Sequence, residues 1–180
     1  RCISVTGVQT CALPIYSNVL VVGAGIKTGL NIRIDNPAQL GSDLVVDSVA
    51  AIVEYPAPLL IFDLGTANTV CVIDKNKNYI GGMIYPGIGV SLDSLTAHAS
   101  QLGGISIEAP EHMIGKNTTE CMKSGLIYSS AAAMDGIIDR LQEQLGGEAT
   151  VIATGGLAKK IVPHCRREII LDDDLLLKGL

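Results

Sequence analysis

The chain has 180 residues, a formal net charge of −5, 48% hydrophobic residues and a mean hydropathy of +0.40, which suits one ordinary domain with a packed core, or one domain plus part of another. Aromatics make up 3% and Trp is absent, so the core is aliphatic and a stacking platform for single-stranded nucleic acid is disfavoured. The 13 Lys and Arg are scattered rather than gathered into the basic face that a phosphate backbone demands, and no apolar stretch reaches the roughly 18–20 residues needed to cross a bilayer.

The chain opens with Arg1 rather than Met, and residues 1–16 (RCISVTGVQTCALPIY) show no clear periodicity. They resemble translated sequencing-adapter read-through. The expectation is a non-native leader over 1–16, a remnant of a first domain over 17–57 and a second domain over 58–180. The leader has no basic segment followed by an apolar one, so it does not read as a signal peptide.

Asn18 to Val22 reads as a buried strand, followed by the loop Gly23–Gly29. That loop fails the dinucleotide fingerprint because Thr28 stands where the third glycine is needed, and it fails as a Walker loop because Ile26 precedes Lys27-Thr28. Asn36-Pro37 marks a turn. From Pro37 to Val53 the apolar positions Leu40, Leu44, Val45, Val49 and Ile52 have helical spacing, ended by Pro56 and Pro58. Three strands follow, Leu59–Asp63, Thr69–Asp74 and Tyr79–Ile84. Their short connections favour antiparallel pairing.

Next come a helix over Ser91–Leu102, a short extended piece at Ile105–Ile107 and a long helix from Thr118 to Leu145. The long helix has a capping signal, Asn117 with Glu120 three residues on, and ends at Gly146-Gly147. A strand over Ala149–Ala153, a helix near Leu157–Val162, a strand near Glu168–Leu171 and a helix near Asp173–Leu180 complete the chain. The order βββ, α, short β, α, β, α, β, α predicts a layered α/β domain. Its opening hairpin matches the layout of the actin, Hsp70 and sugar-kinase fold, which is ribonuclease H-like. That fold normally has two such domains, and no internal repeat is visible here.

Two glycine turns dominate the functional reading. Asp63-Leu64-Gly65-Thr66-Ala67 follows an apolar strand, and Thr154-Gly155-Gly156 follows another. Small residues let a backbone approach a ligand, Thr adds a hydroxyl, and a carboxylate such as Asp63 can hold a cation beside a phosphate. Each turn also has a plain reading as a tight connection. Together they suggest one nucleotide gripped at two points, hence a phosphotransferase. Gly41-Ser42-Asp43 opens a helix, so Asp43 is either an N-terminal helix carboxylate or a general base for a hydroxyl nucleophile. Gly115-Lys116-Asn117-Thr118 is a good helix cap from which Lys116 or Thr118 could reach a substrate. Cys2, Cys11, Cys71, Cys121 and Cys165 form no CxxC pair, and His98, His112 and His164 are isolated. Free cytosolic thiols and plain histidines are therefore expected rather than a metal centre.

In order along the chain, Gly23–Leu30 (GAGIKTGL), Asn36-Pro37 leading to Gly41-Ser42-Asp43, Phe62–Ala67 (FDLGTA), Gly81–Ser91 (GGMIYPGIGVS), Ile114–Thr118 (IGKNT), Met122–Gly125 (MKSG), Thr154–Ala158 (TGGLA) and Leu177–Leu180 (LKGL) resemble type III pantothenate kinase. The resemblance covers the chain from about Asn18 to Leu180. It implies transfer of the ATP γ-phosphate to the primary hydroxyl of pantothenate, giving 4'-phosphopantothenate in the first step of coenzyme A synthesis. Asp43 matches the family's catalytic base, and Gly41, Ser42 and Leu44 lie in its substrate loop. Asp63 matches the residue holding a monovalent cation (potassium or ammonium), and Gly65 and Thr66 fall at the ATP site. Thr118 matches a pantothenate contact, and Thr154, Gly155 and Gly156 match the adenosine motif. Magnesium is implied with ATP, as are a homodimer joined along the long helix and a cytoplasmic location, with no nucleic acid or membrane partner.

Three departures stand out. Leu44 occupies a position where Arg is common, and Leu cannot pair with a carboxylate. Ile34 stands where many members have an aromatic substrate contact. The family's N-terminal DxGNT loop is absent, so the 180-residue chain is expected to be inactive while the full-length gene product is a kinase. The alternatives are a related sugar or acid kinase, disfavoured by Asp43 and IGKNT, and a non-catalytic accessory factor for transcription, which Leu44 keeps open. A Rossmann oxidoreductase is disfavoured by the failed fingerprint and the three-strand opening.

Overall fold

The computed structural model describes residues 3–4, 9–10, 27–99 and 101–180. The strand expected at Asn18–Val22 and the first part of the Gly23–Gly29 loop lie outside them. Near the start, β1 (Ile3–Ser4) and β2 (Gln9–Thr10) form a two-residue antiparallel pair. Among the described residues the main sheet has six strands: β3 (Asn31–Ile32), β4 (Leu59–Leu64), β5 (Ala67–Ile73), β6 (Asn78–Pro86), β7 (Thr150–Thr154) and β8 (Ile170–Leu171). Their spatial order is β3-β6-β5-β4-β7-β8. The three expected strands form an antiparallel meander, β4 with β5 and β5 with β6. The later strands then add in parallel, β7 on β4 and β8 on β7.

Among the described residues five α-helices cover the sheet: α1 (Ser42–Glu54), α2 (Ile88–His98), α3 (Thr118–Leu145), α4 (Ala158–Ile161) and α5 (Leu175–Lys178). Strand β4 reads Leu-Leu-Ile-Phe-Asp-Leu because it lies at the sheet's centre with both faces covered, where alternation gives way to a continuous apolar run. Leu60, Phe62, Leu64, Val70 and Val72 face α2, α3 and α4. On the other face Leu59, Ile61, Cys71 and Ile73 meet Ala50 and Ala51 of α1 and Leu175 of α5. This is the three-layer arrangement of the actin and Hsp70 class.

Helix α3 has the bounds its sequence signals. The Asn117 side chain accepts from the Glu120 N–H at 3.0 Å, and the Glu120 carboxylate accepts from the Lys116 N–H at 2.9 Å. Gly146, at φ +76°, ends the helix in the left-handed conformation. Elsewhere the elements differ from the expectation. The stretch expected as one helix from Pro37 divides into a 3-10 turn at Pro37–Gln39 and α1 from Ser42. Leu40 is extended, and Gly41 caps α1 without a side chain. Helix α2 starts at Ile88, three residues before the expected Ser91, because Gly87 seats directly on the Gly65-Thr66 turn and starts the helix there. The piece at Ile105–Ile107 makes no strand. Its isoleucines pack sideways onto the α2–α3 layer, where the sheet offers no free edge.

The far end of α1 is clasped by the chain's last residues. Lys178 Nζ reaches Glu54 at 2.8 Å and Asp172 at 2.7 Å, and the Tyr55 hydroxyl donates to Asp172 at 2.7 Å. Gly179 lies against the Val46 carbonyl so closely that a Cβ there would come within 2.2 Å of it. The clasp fixes α1 over the sheet and thereby fixes where its first turn sits. Phe62, the chain's one phenylalanine, is fully buried at the centre of β4. Phe62→Ala is expected to cost about 3–5 kcal/mol in chemical denaturation, because no neighbouring side chain can fill the hole.

Candidate functional site

The antiparallel and parallel ladders on either side of β4 decide which side chains share a row. Asp63 pairs with Thr69 on β5 and with Thr154 on β7, and Thr69 pairs in turn with Ile84 on β6. Opposed residues point to one face. Thr154, Asp63 and Thr69 therefore make a polar row at the rim of the otherwise apolar face that α1 covers. The row below it is Ile152, Ile61 and Cys71.

The same pairing sets the two glycine turns side by side. The Leu157 N–H, just past the second turn, donates to the Leu64 carbonyl of the first at 3.2 Å. Gly155 has φ +92°, and a Cβ there would stand 2.4 Å from Asp63 Oδ1 and 2.7 Å from Leu64 N, so two separate constraints require glycine. The first turn is also braced from its other side. The Gly87 N–H donates to the Thr66 carbonyl at 3.1 Å, and a Cβ on Gly87 would meet the Gly65 carbonyl oxygen at 2.2 Å. Thr66 and Gly156 are exposed at the top of the two turns, open to a ligand.

Above this rim stands the first turn of α1. Asp43 lies in that turn, its Oδ1 accepting from the Leu44 N–H at 3.0 Å. A Cβ on Gly41 would fall 2.4 Å from the same oxygen, so the glycine makes room for the carboxylate to fold back over the helix start. A cleft of about 510 Å³ opens beside it, lined by Ile34, Leu40, Gly41, Leu44, Thr69 and Gly82 among others. Ile34 and Leu44, two of the three departures from the family pattern, thus line one cleft next to Asp43. Ser42 shares the same first turn.

The carboxylates are coupled. Burial pushes the Asp63 carboxyl above its ordinary range, and the Asp43 charge adds to the rise. Asp47, one turn further along α1 and 3% exposed, is pushed up to about 7, first by burial and then by Asp63, Asp43 and Asp172. Its Oδ1 is buried without a hydrogen-bond partner, as is the Thr69 hydroxyl. Neither residue stood out in the sequence. The signal for Asp47 was a charged residue four positions after Asp43 on the helix's inward stripe. Thr69 is recognisable only through its register with Asp63.

Not every expected residue joins this constellation. Gly41, Ser42, Asp43, Leu44, Asp63, Gly65, Thr66, Thr154, Gly155 and Gly156 converge on one end of the sheet. Thr118 instead starts α3 and lines a groove of about 710 Å³ between α2 and α3, on the layer opposite α1. Within one chain it does not meet Asp43. Among the described residues no three His, Cys, Asp or Glu side chains are arranged to hold a metal ion. Asp63 is the carboxylate of the polar row that could hold a cation. Cys71, Cys121 and Cys165 are free, and burial pushes the Cys71 thiol up to about 12. Among the described residues no helix is long and apolar enough to cross a membrane.

The family model described as type III pantothenate kinase matches residues 5–140, three quarters of the chain, and includes the Asp43 helix, the Asp63 turn and Thr118. The chain belongs to the type III pantothenate kinase family. A curated type III pantothenate kinase of an Exiguobacterium species is 47% identical over 167 residues, and one of Bacillus cytotoxicus is 47% identical over 161. A third, of Halalkalibacterium halodurans, is 43% identical over 172 residues. These alignments cover 92%, 89% and 96% of this chain but 65%, 62% and 68% of the relatives, so the chain spans about two thirds of their length. Among solved structures, a protein described as a Baf-family transcriptional activator of Campylobacter jejuni superposes with TM-score 0.54 at 21% identity, covering 84% of this chain and 66% of its own, a likeness of fold.

The raised Asp47 carboxyl has a measurable consequence. A carboxyl that holds its proton more tightly when folded favours the folded state at low pH, and that advantage is lost as pH rises from its unfolded value near 4 to about 7. At about 1.4 kcal/mol per pH unit, Asp47→Asn is expected to be more stable than the parent by roughly 2–4 kcal/mol at pH 8. The gap should close near pH 4, as read by urea denaturation across pH.

Proposed function

We propose that the full-length gene product phosphorylates pantothenate with ATP, giving 4'-phosphopantothenate and ADP. The observation that carries this reading is the convergence of both glycine turns and Asp43 on one rim of the sheet, in a chain of this family. Asp43 takes the proton of the acceptor's primary hydroxyl while that oxygen forms its bond to the γ-phosphorus. The bond from that phosphorus to the bridging oxygen of ADP breaks in the same displacement. The exposed Gly65-Thr66 turn supplies main-chain N–H groups and a hydroxyl for the phosphates, and Thr154-Gly155-Gly156 lies against the adenosine. Magnesium bound with ATP and a monovalent ion at Asp63 would neutralise phosphate charge.

The cleft beside Gly41 and Leu44 is the natural place for the acceptor. Its lining is mostly apolar, so the pantothenate carboxylate finds no guanidinium at Leu44 and must be held by another group. The reading includes a cytoplasmic homodimer joined along α3. The groove where Thr118 and Met122 lie flanks that helix, and the acceptor contact expected of Thr118 belongs with the dimer rather than with one chain.

The test is a coupled assay on the full-length gene product, with potassium present and omitted. Pantothenate-dependent ADP release that requires potassium, and that falls by about 10²-fold or more in Asp43→Asn, is the expected result. Folded protein without turnover would overturn it and favour the accessory-factor reading, with Leu44 and Ile34 as the first positions to revert. Independently, Gly155→Ala is expected to weaken ATP binding by at least about tenfold in calorimetry. The added methyl must displace either Asp63 or the Leu64 backbone and also forces a left-handed φ on alanine.

A further inference from the structure

Strand β5 carries a hydroxyl that neither the fold nor the proposed reaction uses. Thr69 pairs with Asp63 on β4 and with Ile84 on β6. It therefore lies between the rim, where both glycine turns end, and the cleft of about 510 Å³, which it lines together with Gly41 and Leu44. On the same face of the next strand, Gly82 offers no side chain and Ile84 is 75% exposed. The cleft wall beside Thr69 is thus low and apolar.

Packing does not call for threonine at this place. The other β-branched residues of β5, apart from Thr69, are Val70, Val72 and Ile73, and all three are buried. Valine matches threonine in shape and in preference for strands, and it brings no polar atom. Thr69 Oγ1 is instead buried and, among the described residues, has no hydrogen-bond partner. Such an atom costs stability, and an orphaned polar atom in a folded chain calls for a reason outside the packing. The residue lines the cleft while its hydroxyl is shielded from it. A turn of about 120° about χ1 exchanges the places of hydroxyl and methyl, so the hydroxyl reaches the cleft without any change in the backbone.

We propose that Thr69 is an acceptor-binding residue: turned into the cleft beside Leu44, its hydroxyl hydrogen-bonds an uncharged oxygen or N–H of the acceptor chain and so helps to aim the acceptor's primary hydroxyl at Asp43. This rests on the reading of that cleft as the acceptor site. A hydroxyl both donates and accepts, so one threonine can serve a hydroxyl or an amide of the acceptor. It carries no charge and does not replace a guanidinium at Leu44. Its part is to fix orientation in a mostly apolar cleft, as one placed polar group does in a binding site of this kind. The acceptor is then held from two sides, by the first turn of α1 and by the sheet.

The test compares the full-length gene product with Thr69→Val, which removes the hydroxyl and keeps the shape, and with Thr69→Ser, which keeps the hydroxyl. Calorimetry measures the Kd for pantothenate and for ATP in each. Thr69→Val is expected to weaken pantothenate about fivefold or more and Thr69→Ser by no more than about twofold, with the Kd for ATP level in both. In turnover the KM for pantothenate carries the effect and the KM for ATP does not. Thr69→Val should also withstand urea at least as well as the parent, since it loses an unpaired polar atom. Comparing Thr69→Ala with Thr69→Ser isolates the hydroxyl a second time if the valine variant folds poorly. Equal pantothenate affinity with and without the hydroxyl overturns the inference and leaves the kinase reading untouched. A loss in ATP affinity as large as that for pantothenate also overturns it, because the hydroxyl then serves the phosphate side. A folded parent that binds no pantothenate removes the substrate reading and the inference together.

Discussion

The parallel pairing of β7 with β4 is the contact on which the site depends. It places Thr154 beside Asp63 and lets the Leu157 N–H close onto the Leu64 carbonyl. Two glycine turns far apart in the sequence thereby become one ridge of exposed backbone. A single carbon at Gly155 would push the two strand ends apart. The antiparallel partner on the other side, β5, adds Thr69 to the same row. Because β4 is flanked by one antiparallel and one parallel neighbour, the end of this central strand is where the fold changes direction. Crevices at such points collect ligands in open α/β sheets.

Helix α1 converts that ridge into a candidate active site. Its inward stripe is small and apolar where it meets the sheet's base, at Ala50 and Ala51, and acidic toward the rim, at Asp47 and Asp43. The small residues allow a close approach, and the close approach brings the two acids over Asp63. The clasp of Lys178 with Glu54 and Asp172 holds the far end of the helix, so the geometry at its first turn is set partly by the last residues of the chain. Stability and charge placement oppose each other here. The rim gathers carboxyls that repel one another, and the apolar rows of Phe62 and Ile61 on the two faces of β4 supply the cohesion that tolerates them.

Local signals carried much of the fold. The Asn117 and Glu120 cap, the Gly146 stop and the apolar run of β4 each fix their element through contacts within a few residues, and each lies where it was expected. The expectations that moved depended on distant partners. Helix α2 begins early because Gly87 rests on the Gly65-Thr66 turn, and α1 begins late because Leu40 is extended before Gly41. Ile105 and Ile107 have strand chemistry, but no strand edge faces them. Of the site, the residue types at both glycine turns and at Asp43 were legible because each motif is contiguous. Asp47 and Thr69 were not, since an acid on a helix and a threonine on a strand acquire meaning only from what they face.

The sequence by itself determined the layered α/β class, the three-strand meander and the two later strands after the long helix, the family and the residues of each short motif, because these are written in periodicity and in neighbours close along the chain. Only the tertiary structure decided that Asp43, Asp63 and the Thr154 turn share one rim, that Thr118 lies on the other side of the sheet, and that Asp47 is the buried acid among them. Those facts follow from strand register and from which face each helix covers. Both are settled by burial of apolar surface across the whole domain rather than by any local stretch of residues.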